Sequence, residues 1–84
     1  MISAFTLVKV SSQMNTSVFR EIAKLPLMKQ VTLTYGEYDL IVRTETDNIG
    51  ELNKFIYNIL RKIPNITMTA TLIVSKRLMP KNKP

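Results

Sequence analysis

The acidic side chains of this 84-residue chain are Glu21, Glu37, Asp39, Glu45, Asp47 and Glu51, and only Glu37 and Asp39 fall together at a turn. One carboxylate pair can attract a cation, but two ligands fall short of a calcium or magnesium site. His and Cys are both absent. That removes the usual neutral-pH base, the commonest metal ligand, any thiolate nucleophile and any disulfide. Ser3, Ser11, Ser12, Ser17 and Ser75 have no base or elbow motif to activate them. Gly36 and Gly50 are the only glycines, too few for a glycine-rich phosphate loop. The chain reads as a non-enzyme with no metal and no cofactor. What remains is Asp39, an acid just ahead of Leu40-Ile41-Val42, where a strand disfavours it. It either accepts backbone N–H groups of its own turn or faces a cationic ligand group such as an ammonium.

The elements that must position this turn follow from periodicity. Ile2 to Val10 reads as a strand with apolar residues on both faces, Phe5 and Leu7 on one, Ile2, Ala4, Val8 and Val10 on the other. Such a strand is central in its sheet, with both faces covered. Asn15 or Thr16 is expected to cap a helix over 16–25 that ends at Pro26. Lys29 to Tyr35 and Tyr38 to Thr44 alternate as the arms of a hairpin, with Gly36-Glu37 as a tight turn. Asp47 or Asn48 caps a second helix whose stripe is Leu52, Phe55, Ile56, Ile59, Leu60 and Ile63. Ile66 to Ser75 closes the chain as a last strand.

The order β-α-β-β-α-β carries a weak internal echo. Lys24-Leu25-Pro26 and Lys62-Ile63-Pro64 lie 38 residues apart, as do Phe19 and Tyr57, and Ile22 and Leu60. Two βαβ halves build a ferredoxin-like α+β fold, a four-stranded antiparallel sheet with two helices on one face. By strand parity the helix-free face is expected to collect Ala4, Thr6, Val8, Thr32, Thr34, Ile41, Arg43, Thr69, Thr71 and Ile73. Thr and aliphatics in place of Lys and Glu point to a face covered by a second subunit. Phe5, Phe19, Phe55 and Tyr35 are expected in the core, which leaves no aromatic pair on the open face to stack RNA bases.

The net charge of +6 suggests nucleic acid until it is located. Residues 1–75 carry only +2, while residues 76–84 hold Lys76, Arg77, Lys81 and Lys83 with no acid. That stretch is expected to be a basic, flexible C-terminal tail whose role is solubility, without direct DNA binding. No apolar run is long enough for a membrane span, and the N-terminus lacks a signal-peptide start, so a cytoplasmic protein is expected.

Gly36-Glu37-Tyr38-Asp39-Leu40 between two strands, Glu51-Leu52-Asn53-Lys54-Phe55-Ile56 in the following helix, Ile63-Pro64, and Thr69-Ala70-Thr71 in the closing strand resemble the effector-binding domain of Lrp/AsnC-type transcription regulators. This module is also called the regulation-of-amino-acid-metabolism (RAM) domain. The resemblance implies a ligand-binding and oligomerisation domain over residues 1–75, dimers formed through the sheets, and rings of eight or ten subunits. It also implies an amino-acid effector in a cleft between dimers. Gly36 and Glu37 would supply the turn, Tyr38 would line the cleft and Asp39 would meet the α-ammonium. Thr69 and Thr71 would add hydroxyls. Full-length regulators carry an N-terminal helix-turn-helix domain, whereas this chain starts directly with the first strand. A stand-alone sensor is therefore expected, able to co-assemble with full-length Lrp/AsnC-type regulators. Asn65 stands where the family commonly has Gly. The alternative is a structural or accessory module of the same fold that binds no effector.

Overall fold

Strand β1 (Ile2–Val10) runs antiparallel between β3 (Leu40–Thr46) and β4 (Ile66–Ile73), with β2 (Met28–Leu33) on the far side of β3. Helices α1 (Asn15–Ala23) and α2 (Ile49–Asn58) and a short 3-10 turn (Leu60–Lys62) complete the chain. The sheet order β2-β3-β1-β4 is the ferredoxin-like arrangement expected from the element order. The computed structural model describes residues 1–78 and Pro80; Met79 and residues 81–84 of the expected tail lie outside the described residues.

The core lies between the helices and one sheet face. Val18 and Ile22 of α1, Leu52, Phe55 and Ile56 of α2, and Leu60 meet Ala4, Val8, Leu40 and Val42 of the central strands. Each large aliphatic or aromatic side chain buried this way contributes about 1.5–3 kcal/mol. The orientation of β1 corrects the expected faces. Ala4, Thr6 and Val8 are fully buried beneath the helices. Their partners Ile73, Thr71 and Thr69 share that face, while Phe5 and Leu7 lie on the helix-free side beside Arg43, Ile41, Leu72 and Ala70. The reason is volume. Helix residues as large as Phe55, Ile22 and Leu60 fill the layer, so the strand beneath them must offer small side chains.

The helix-free face is therefore more apolar than expected. Phe5, Leu7, Ile41, Met68, Ala70 and Leu72 share it, with Leu72 58% exposed. Arg43 is paired with Glu45 at 3.4 Å on this face, which also carries the exposed Lys9 opposite Met68. Phe5 is the single aromatic in its register neighbourhood. Tyr35, expected in the core, is fully exposed in the loop after β2.

Local starts and stops differ in instructive ways. Asn48 caps α2, its side-chain oxygen accepting the Glu51 N–H at 2.8 Å. Helix α1 instead begins after Met14 without a side-chain cap, and Asn15 is already helical. Met14 packs against the core, so burial rather than a cap sets that start. The 38-residue echo is a structural repeat. Leu27 and Asn65, each just after the proline, both have positive φ, 72° and 76°. The pairing then skips Lys29 in β2 and Thr67 in β4, so each strand opens with a bulge. The bulges turn Met28 and Ile66 inward onto the core. Asn tolerates the left-handed region, but Leu does not. Leu27→Asn is expected to raise stability by about 0.5–1 kcal/mol, read as a higher urea midpoint at unchanged slope.

Candidate functional site

The connection between β2 and β3 is a loop over 34–39 rather than a two-residue turn. Asp39 lies outside the strand and closes the loop, its carbonyl accepting the Thr34 N–H at 2.9 Å. The Thr34 hydroxyl also donates to the Tyr38 carbonyl at 2.8 Å. Gly36 has φ +121°, a conformation that side chains disfavour, which fits the glycine at the apex. Gly36 and Glu37 are exposed, Tyr38 and Asp39 half-buried.

Asp39 is tied to the central strand twice. Its N–H donates to the Val8 carbonyl at 2.9 Å, and its Oδ2 accepts the Val10 N–H at 2.9 Å. The carboxylate thus continues the β1–β3 ladder past Val8 and Leu40, where regular pairing stops. This is a backbone role, as one of the two expectations held, but the donor comes from β1 and not from the loop itself. Of the two bonds only that from Val10 uses the carboxylate, through Oδ2, and Oδ1 lies outside it. The result is a negative charge fixed at the end of the central strand.

Thr69 and Thr71 are placed elsewhere. Thr69 pairs with Val8, whose other neighbour is Leu40, so two strand spacings, about 10 Å, separate it from the loop strand. Both threonines lie on the helix face of β4, where they line a cleft of about 340 Å³ against α2. Leu52, Ile56 and Ile73 give this cleft apolar walls, and Asn53, Tyr57 and Arg61 complete its lining. The Arg61 guanidinium stacks over the Tyr57 ring, 5.2 Å from its centroid. The Thr71 hydroxyl is 3.1 Å from that of Thr6. Asn53, Tyr57 and Arg61 carry no motif that marks them as site residues in the sequence, and only the Phe19–Tyr57 offset of the internal repeat points to the second.

A single chain therefore gathers Gly36, Glu37, Tyr38 and Asp39 in one loop and holds Thr69 and Thr71 in a separate cleft. Among the described residues, no group of three or more acidic side chains is placed to hold a metal ion. No helix of the described residues is long and apolar enough to cross a membrane.

With this geometry in place, the chain can be set beside known proteins. Residues 3–84 match the model of the Lrp/AsnC ligand-binding domain. The chain belongs to the Lrp/AsnC ligand-binding domain family. It is 40% identical over 73 residues to the HTH-type transcriptional regulator FL11 of Pyrococcus horikoshii, covering 87% of this chain and 48% of that protein. The chain thus spans about half the length of that regulator. The crystal structure of FFRP-DM1 superposes with a TM-score of 0.84 at 39% identity, covering 89% of this chain and 100% of that one. A segment of homocitrate synthase from Sulfurisphaera tokodaii is 35% identical over 78 residues, 92% of this chain but 17% of that enzyme. Segments similar to this domain thus occur both in a transcription regulator and in a protein named as an enzyme.

Within this Lrp/AsnC domain, Asp39 can be dissected. Asp39→Ala removes the acceptor of the Val10 N–H and is expected to cost about 1–2 kcal/mol. Asp39→Asn keeps a side-chain oxygen there and is expected to lose less than half as much, both measured by urea unfolding.

Proposed function

We propose that this domain senses an amino acid at the Gly36–Asp39 loop and couples binding to self-association through its helix-free sheet face. The observation that carries the reading is the Asp39 carboxylate. It is half-buried, its Oδ2 accepts the Val10 N–H while the Asp39 N–H anchors the residue to the Val8 carbonyl, and Oδ1 lies outside both bonds. A carboxylate fixed in this way is a preorganised acceptor for an ammonium group. Tyr38 borders it, and the backbone at Gly36 and Glu37 is open to a ligand. Thr69 and Thr71 would reach such a site from a neighbouring copy, since within one chain they face the α2 cleft.

The assembly follows from the sheet. A contiguous patch of Phe5, Leu7, Ile41, Ala70 and Leu72 is the kind of surface that a second copy covers. Dimers built this way would close into octamers or decamers, with the effector shifting one assembly state against another. Co-assembly with full-length Lrp/AsnC-type regulators in the cytoplasm would carry the signal to DNA, with no DNA contact by the domain itself. In this reading residues 1–75 are the sensing unit and the basic tail over 76–84 an appendage.

A second reading rests on the homocitrate synthase match: the domain is an accessory module that contacts an enzyme and binds no effector. Thermal-shift measurements with a panel of amino acids separate the two. An effector at 100 times its dissociation constant is expected to add about 2.7 kcal/mol of stability. Asp39→Asn is expected to abolish that gain while the unliganded protein stays folded. A panel without any shift favours the accessory reading. For the sheet face, Leu72→Glu is expected to convert the oligomer to monomer in sedimentation velocity, because a charge would be buried at the centre of the contact.

A further inference from the structure

The helix-free sheet face is apolar over most of its area, but one corner of it is charged. Arg43 stands in register between Gln30 and Phe5, and Glu45 lies beside Ser3, two residues further along β3. The third charge of this face, Lys9, is exposed at the opposite end of β1. The Arg43 and Glu45 side chains are only 31% and 30% exposed, so a single chain already withdraws them from most of their water.

Their contact is thin for such a cost. Arg43 Nη1 donates to Glu45 Oε2 at 3.4 Å, and among the described residues neither side chain makes another hydrogen bond. Most of the five guanidinium N–H groups and most lone-pair positions of the carboxylate are left to water. Beside them the Ser3 hydroxyl is buried without a hydrogen-bond partner, a further donor in the row of Glu45. A cover over this face displaces the water that completes the pair. An apolar cover would strand both charges. A second copy of this chain brings the missing groups itself. A two-fold contact sets the same surface on both sides, so Arg43 meets a face that carries a carboxylate and Glu45 a face that carries a guanidinium.

We infer that Arg43 and Glu45 of two copies close into one four-charge network across the sheet-to-sheet contact, and that this network selects which chains share the contact. The inference rests on the covered sheet face proposed above and adds what that face demands of its partner. Phe5, Leu7 and Leu72 offer area to any apolar surface. The charges reject a surface that does not answer them, because like charges forced together, or one left alone under a cover, are strongly unfavourable. A full-length regulator would enter the contact only by presenting an acid to Arg43 and a base to Glu45.

Complementary charge variants of the full chain test this by sedimentation velocity and native mass spectrometry. Arg43→Glu puts two acids in the corner and Glu45→Arg two bases, so each alone is expected to self-associate at least about tenfold more weakly than the wild type. Mixed together, the two are expected to recover wild-type affinity as a 1:1 complex. A pair that acts only within its own chain predicts no recovery, since inside each variant the charges repel. The double swap R43E/E45R is expected to self-associate like the wild type, yet to form mixed dimers with it at least about tenfold below the statistical share. The inference is overturned if the mixture of single variants stays dissociated, or if the double swap mixes freely with the wild type. Leu72→Glu separates this from the face itself. If it dissociates the wild-type dimer while the double swap mixes freely, the covered face stands and the charge selection falls. If it leaves the assembly intact, both fall together.

Discussion

Two-sided burial of strand β1 is the constraint on which the rest of the structure depends. It is hydrogen-bonded to β3 on one edge and β4 on the other, so its backbone is satisfied, and both of its faces carry apolar side chains. The helices cover Ala4, Thr6 and Val8. Phe5 and Leu7 remain on the opposite side, which no helix of the described residues covers. A domain of this size buries only about 60% of its extended-chain surface, so it has little stability to spare. Covering that second face gives a physical reason for self-association.

The same strand organises the candidate loop. Val8 and Val10 at its end receive and supply the backbone hydrogen bonds that fix Asp39. An acid in that position is a poor strand residue but a good terminator, because its side chain stands in for the next peptide group of the ladder. Structural and functional roles do not compete here. One bond through a carboxylate oxygen and one from the Asp39 N–H hold the charge still, and a charge held still binds an ion more tightly than a mobile one.

The two βαβ halves show how one scaffold is tuned in two directions. Leu27 and Asn65 turn the chain at equivalent points, and bulges at Lys29 and Thr67 then swing Met28 and Ile66 into the core. These repeated features belong to folding, since they place the first residue of each outer strand. The clefts beside them have diverged. Phe19, Ala23 and Val31 are replaced by Tyr57, Arg61 and Thr69, which changes the surface chemistry without touching the backbone pattern.

By itself the sequence determined the order of the elements, a cap at Asp47 or Asn48, the glycine at the loop apex and the centrality of Ile2 to Val10. All of these rest on local periodicity or on the conformational preference of one residue. Family membership was legible in the Gly36–Leu40 and Thr69–Thr71 segments for the same reason, as short motifs at fixed spacing. Only the tertiary structure decided which face of β1 the helices would cover. Alternation has a period but no direction, and both faces of β1 were apolar. The choice went to the face whose small side chains leave room for Phe55, Ile22 and Leu60. The structure alone also separated Thr69 and Thr71 from Asp39, because bulges and strand order set those distances. It placed Arg61, Tyr57 and Asn53 around one cleft, residues whose chemistry is invisible until α2 is laid against β4.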